Sequence, residues 1–228
     1  MSRLAATIKN DVRIQFRNGF YVATALVVGF SILLLRWLPA DMATLILPVV
    51  ILENVLMNTF YFVSGLLLLE RVEGTFVAQS VTPLRDDEYL ASKLATLTGL
   101  SLAESLLIAV AVFGFDVRLI AMAVGIALAA ALFCLAGVGL VVRYDSINEF
   151  LLPSVLYTSL LTLPILGIFG FLPAAWFLPH PVQGPLSLMQ FDGTLTAGLL
   201  AYAIGYPILW IVPAYLWSRR ALGRARNA

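Results

Sequence analysis

Long apolar stretches separated by short polar breaks organise this chain from residue 20 to residue 217. Crossing a bilayer core takes roughly 20 apolar residues in a helix. The stretches 20–35, 44–69, 89–113, 119–142, 150–171 and 194–217 meet or approach that length and predict six transmembrane helices. The first is short, which makes Arg36 and Trp37 interfacial anchors at its far end. The apolar runs are continuous, whereas barrel strands would alternate, so the chain reads as all-α. Pro153, Pro164, Pro207 and Pro213 fall inside these runs and predict kinks.

Two further segments have their own pattern. In residues 1–18, Leu4, Ala5, Ile8, Val12 and Phe16 share one arc of a helical wheel, and Arg3, Lys9, Arg13 and Arg17 share the opposite arc. Such a helix lies in the headgroup layer with its apolar side down. Ile14, on the polar flank, is the exception. The second segment, 172–193, carries Pro173, Pro179, Pro181 and Pro185 among Trp176, Phe177, Leu178, Leu186, Leu188, Met189 and Phe191. It is too apolar for a free loop and too proline-broken for a span. Short helical pieces dipping into the outer leaflet and packed on protein fit it.

Composition agrees with a membrane protein. The 228 residues are 61% hydrophobic and 12% charged, with mean hydropathy +0.96, whereas soluble domains carry about 25% charged residues. The pattern suits a single transmembrane domain over 1–228. Basic residues mark the cytoplasmic side. With the N-terminus inside, Arg3, Lys9, Arg13, Arg17, Arg71, Arg85, Lys93, Arg143, Arg219, Arg220, Arg224 and Arg226 lie in the cytoplasm, and only Arg36 and Arg118 lie outside. Both termini are therefore expected to be cytoplasmic. Arg36-Trp37-Leu38-Pro39 follows the first apolar run where a signal peptide would have small residues, so no cleavage is expected. Cys134 is the lone cysteine and can form no intrachain disulfide.

Within the spans the costly residues are Glu53, Asn54, Asn58 and Glu104. An ionisable group near a helix centre costs about 2.5–3.5 kcal/mol on insertion scales, so it faces protein or water. Glu53 and Glu104 fall at matching depth on successive helices, roughly 13 Å from the outer ends at 1.5 Å per residue. Shared lining of a cavity that meets a cationic or amphiphilic molecule is one reading. Interhelical hydrogen bonding is the other, with Asn54 and Asn58 at four-residue spacing. Ala121, Gly125 and Ala129, and Ala197, Ala201 and Gly205, repeat at the same spacing and permit close helix contact.

Enzymatic classes fit poorly. An intramembrane serine protease needs a histidine beside its nucleophile, and the single histidine, His180, lies between two prolines. One Cys and one His do not make a clustered metal site, so no metal residues are assigned. Neither lysine, Lys9 or Lys93, follows the glycine-rich run of a phosphate-binding loop.

The chain resembles the membrane subunits of bacterial ATP-binding-cassette exporters of the drug and polysaccharide export class, and most closely the fluoroquinolone-export permeases. The resemblance rests on Asp11-Val12-Arg13-Ile14-Gln15-Phe16-Arg17-Asn18-Gly19-Phe20-Tyr21 and on Leu69-Glu70-Arg71 through Gly74-Thr75 to Thr82-Pro83-Leu84, Glu88-Tyr89-Leu90 and Ser92-Lys93. A weaker stretch is Pro181-Val182-Gln183-Gly184-Pro185-Leu186.

The resemblance implies an exporter half with an interfacial connecting helix, a cytoplasmic coupling segment over 70–88 and outer re-entrant helices. The coupling helix would be 74–81, with Glu70, Glu73, Gly74, Thr75, Phe76, Val77, Thr82 and Pro83 facing a separate ATP-binding-cassette ATPase. ATP and Mg would belong to that partner, and this chain would carry no cofactor. A second permease half, identical or related, and membrane lipid complete the expected partners, with no nucleic acid. The expected location is the bacterial cytoplasmic (inner) membrane, and the cargo a small amphiphilic or drug-like molecule or a lipid. The alternatives are a haem-exporter-like subunit of cytochrome c maturation or, in a different class, an intramembrane enzyme.

Overall fold

The computed structural model describes residues 3–74, 84–116, 118–190 and 196–227. Every regular element among them is helical. Helix α1 (Arg3–Arg17) leads through a glycine turn into α2 (Phe20–Trp37). Gly19 has φ +77°, a left-handed conformation in which side chains are strained. Its N–H bonds the Phe16 carbonyl, which closes α1 and re-aims the chain.

The second long helix is compound. Helix α3 (Ala40–Leu56) passes through a π-turn, Met57–Tyr61, into α4 (Phe62–Val72). At the turn, Thr59 and Ser64 hydroxyls donate to the Val55 and Phe60 carbonyls at 2.6 and 2.7 Å. These bonds give the backbone extra partners where its ladder widens. Gly137 of the helix opposite makes room, since a Cβ there would sit 2.9 Å from the Phe60 carbonyl oxygen.

Helix α5 (Asp86–Phe113) follows, then α6 (Leu119–Val141), α7 (Ile147–Leu161), the short α8 (Ile165–Ile168), α9 (Gln183–Met189) and α10 (Ala197–Asn227). Three acidic residues, Asp86, Asp87 and Glu88, open α5, where the helix dipole favours them. At its other end Arg36 donates to the Ala111 carbonyl at 2.9 Å. The predicted interfacial anchor is thus also a cap on a neighbouring helix.

Helix α6 is the hub, packed on α3, the π-turn, α4, α5, α9 and α10. Its small residues let the neighbours approach. A Cβ on Gly125 would lie 2.7 Å from the Pro185 carbonyl oxygen of α9. Gly125→Val should therefore lower the melting temperature in detergent, at about 1–3 kcal/mol for overpacking. Gly99→Ala, which meets open space, should melt with the parent. Equal melting of the two variants would contradict the close α6–α9 contact.

Among the described residues, five helices are long and apolar enough to cross a membrane: Phe20–Trp37, Ala40–Val72, Asp86–Phe113, Leu119–Val141 and Ala197–Ala225. The predicted fifth span, 150–171, differs from expectation because it is not one helix. Helix α7 stops at Leu161, and a turn through Thr162–Pro164 separates it from α8. Proline disfavours helical geometry in the residue before it, and at 164 that ends the helix.

The small-residue stripes permit contact within one subunit or across a dimer, and the structure separates the two stripes. Ala197, Ala201 and Gly205 are exposed, and the sixth span meets α9 through buried Ala203 instead. Periodicity located small residues without telling which face they occupy.

In α1 the outward arc carries Val12 and Phe16, both exposed, while buried Asp11 and Gln15 face the protein together with Ile14. Ile14, the exception on the wheel, therefore belongs to a protein-facing edge.

Candidate functional site

A charged cluster lies buried where α1, α4 and α5 meet. Tyr89, Ser92, Lys93 and Thr96 recur at helical spacing and turn one face of α5 toward α1 and α4. The Lys93 side chain is wholly buried. Its Nζ donates to Asp11 Oδ1 at 2.8 Å and to Glu70 Oε1 at 2.6 Å. Ser92 donates to Asp11 Oδ2 at 2.5 Å, and Tyr89 donates to Glu70 Oε2 at 2.7 Å. Every carboxylate oxygen of the pair therefore has a partner. That full satisfaction is what makes burial of three charges tolerable, because a desolvated charge is costly wherever a lone pair is left open.

Polar contacts continue around the cluster. Gln15 donates to Thr96 Oγ1 at 3.0 Å and accepts from Tyr21 at 3.3 Å. Arg71 donates to the Val142 and Tyr144 carbonyls and pairs with Asp145 at 2.7 Å, capping the end of α6. Asp87 accepts from Tyr215 at 2.6 Å and pairs with Arg219 at 2.9 Å, which ties α10 to the start of α5. The cluster joins elements that are remote in sequence at one end of the bundle.

The predicted coupling residues divide in three. Glu70 is buried in the cluster, so its carboxylate serves an internal contact and is not presented at the surface. Glu73 is half-exposed and lies 3.6 Å from Arg17, and Gly74 turns the chain with φ +69°. Thr75, Phe76, Val77, Thr82 and Pro83 lie outside the described residues.

A second polar region runs inside the membrane-spanning bundle. Thr24 and Ser31 lie on the buried stripe of α2. Thr24 donates to Asn58 Oδ1 at 3.1 Å, and Asn54 donates to Ser31 Oγ at 3.4 Å. Glu104 of α5 is buried beside the Asn58 side chain, its nearest polar neighbour, and among the described residues neither of its oxygens meets full hydrogen-bond geometry. The hydroxyls of Thr98, Ser101 and Ser105 on the same helix are equally without partners. Ser101 and Ser105 lie one turn before and one residue after Glu104 on α5, so this part of the helix has hydroxyl and carboxyl capacity left for a ligand or water.

Of the four pathway candidates, the structure brings Asn54, Asn58 and Glu104 to this seam. Glu53 is half-buried, in phase with exposed Met57, and no hydrogen bond joins it to Glu104 among the described residues. No group of three or more His, Cys, Asp or Glu residues is arranged to hold a metal among them. His180 is engaged structurally, with Nε2 against the Leu160 carbonyl at 3.1 Å and Nδ1 accepting from the Val182 N–H at 3.2 Å.

The charged cluster was not predicted as a unit. Asp11, Glu70, Ser92 and Lys93 do stand in the stretches that carry the family resemblance, and that was the available signal.

Comparison with known proteins assigns the family. The family model for the fluoroquinolones export permease proteins matches residues 2–225. Fluoroquinolones export permease proteins of two Mycobacterium tuberculosis strains, CDC 1551 / Oshkosh and ATCC 25618 / H37Rv, are each 30% identical over 213 residues. Those matches cover 92% of this chain and 90% of each relative. No solved structure gives a significant match. With its helices long enough to span a bilayer several times over, this chain belongs to the fluoroquinolones export permease family, a family of multi-pass membrane permeases.

Proposed function

We propose that this chain is one permease half of an ATP-driven exporter that moves a drug-like amphiphile out of the cytoplasm or inner leaflet of a bacterium. A separate ATP-binding-cassette ATPase supplies the energy and holds ATP and Mg. A second permease half, identical or related, completes the pathway in the inner membrane. Both termini face the cytoplasm, in keeping with twelve of the fourteen basic residues on that side. Residues 172–190 form the re-entrant pieces at the outer face.

The observation that carries the ATPase assignment is the position of the buried Asp11–Lys93–Glu70 cluster. Glu70 precedes the 74–83 segment by four residues, and Tyr89 and Lys93 follow it closely. Both ends of that segment are therefore anchored to one rigid point. A force applied by a docked ATPase would pass directly into the second and third spans and into α1. A loop with free ends would dissipate it.

Pull-down of a co-expressed candidate ATP-binding-cassette ATPase tests the reading. Phe76→Asp should sharply reduce the ATPase recovered, because it puts a charge into a desolvated contact. The permease itself should keep its elution volume. Normal recovery with Phe76→Asp would remove the segment from the interface.

Glu104 and the seam around it then form the cargo-facing part of the path. A cationic group on the cargo would supply what the unpartnered carboxyl lacks.

A further inference from the structure

At the far side of α6 from the charged cluster, a groove of about 580 Å³ opens between the end of α6 and the last turns of α10. Arg143, Arg220 and Arg224 line it, over a floor that includes Val142, Leu216 and Trp217. The three arginines are exposed, and no carboxylate pairs with any of them among the described residues. Their neighbour Arg219, by contrast, is held by Asp87.

The groove is built on fixed contacts. The Trp217 ring lies directly on Gly139, where a Cβ would fall 2.3 Å from the ring. Ser218 donates to the Leu135 carbonyl at 2.6 Å, which pins α10 to α6. The Arg143 guanidinium stands 5.8 Å from the centre of the Trp217 ring, within cation–π range.

We propose that this groove binds an anionic phospholipid of the cytoplasmic leaflet, with Arg143, Arg220 and Arg224 around its phosphodiester and its acyl chains along Leu216. Three guanidinium groups, none of them paired with a carboxylate among the described residues, make a donor site for a phosphate, which arginine engages through paired N–H groups. Two observations favour a lipid over a free phosphate. The floor is apolar, and it continues along the exposed face of α10 through Val212 and Leu209, so a bound headgroup has somewhere to lay its chains. Basic pockets between helices on the cytoplasmic side are where anionic headgroups bind.

The inference concerns the detergent-solubilised chain alone and stands or falls independently of ATPase docking or cargo. Native mass spectrometry of the purified full chain, titrated with phosphatidylglycerol, phosphatidylcholine or inorganic phosphate, tests it. Phosphatidylglycerol should be retained at least about tenfold better than phosphatidylcholine. Arg220→Gln/Arg224→Gln should abolish most of that preference, and Arg36→Gln, at the opposite end of the bundle against the Ala111 carbonyl, should leave it unchanged. Leu216→Gln should weaken lipid retention without changing phosphate competition.

Equal retention of the two lipids would overturn the proposal. So would undiminished phosphatidylglycerol binding by the double variant at 220 and 224, or displacement of the lipid by equimolar phosphate. A shift in oligomeric state of that variant with lipid retention intact would reassign the groove to a contact between copies of the chain. These arginines are exposed, so misfolding is not the expected outcome. Unchanged melting in phosphatidylcholine micelles checks that point.

Discussion

Replacing Lys93 with methionine should lower the melting temperature of the purified protein by on the order of 10 °C. The substitution leaves Asp11 and Glu70 in the interior without their shared cation, still accepting from the Ser92 and Tyr89 hydroxyls. Removing one partner from a buried ion cluster costs roughly 3–5 kcal/mol, because the remaining charge stays desolvated. For a chain of this size, each kcal/mol is worth about 2–4 °C. The triple variant Asp11→Asn/Glu70→Gln/Lys93→Met removes all three charges while keeping shape, and it should recover most of the loss. Thermal unfolding followed by tryptophan fluorescence reads both. A Lys93→Met protein that melts with the parent would show that α1, α4 and α5 are held together by apolar packing alone. The same variants should separate stability from coupling: the triple variant, stable but without the ionic lock, should hydrolyse ATP with its partner and export poorly.

Glu104→Gln is expected to act in the opposite sense. Among the described residues no cation pairs with Glu104, and its buried oxygens meet only the Asn58 side chain at less than full hydrogen-bond geometry, so the amide relieves a desolvated acid group instead of breaking an ion pair. Melting temperature should hold or rise. Export of a cationic compound should weaken by roughly tenfold or more, the loss of a charge-assisted contact worth about 1.5–3 kcal/mol. A neutral compound of similar size should be exported as before. Glu53→Gln should have a smaller effect, since Glu53 is half-buried and separate from the seam. Measuring both compounds in vesicles alongside melting distinguishes the outcomes. A destabilised variant that handles both cargoes alike would make Glu104 structural, and unchanged export of both would take it out of the path.

The helices were readable because lipid selects residue type over long runs, and continuous apolarity reports that directly. Where the backbone itself decides, the pattern misleads: the run over 150–171 is apolar throughout, yet Pro164 ends its helix at Leu161. The polar intramembrane residues were readable too, since Asn54, Asn58 and Glu104 are conspicuous by cost. Their partners were not. Thr24 and Ser31 look ordinary in a span, and only the packing of α2 on α3 reveals them. The charged cluster was hidden for a similar reason. Asp11, Glu70 and Lys93 each sit near a predicted membrane edge, where a single charge is unremarkable, and their mutual neutralisation exists only once three distant segments meet. The wheel for α1 sorted apolar from basic residues correctly but had no means of marking Asp11 and Gln15 as inward.

The π-turn in the second span has a consequence for how the chain tolerates insertions and deletions. A surplus residue in a helix rotates everything beyond it by about 100°. In an uninterrupted α-helix, Asn58 and Glu70 would point about 120° apart, and could not both address one neighbour. The widened turn removes most of that difference. Asn58 can then face Glu104 while Glu70 meets Lys93, two residues that share a face of α5 at eleven-residue spacing. The turn therefore acts as a register correction between two polar sites some distance apart along the helix axis. Losing one residue between Met57 and Tyr61 would shorten the span by only about 1.5 Å, a trivial change for the bilayer. It would also swing α4 out of phase and break the ionic lock without altering a single charged residue. In this segment the reading frame of side-chain directions is constrained more tightly than hydrophobicity or length.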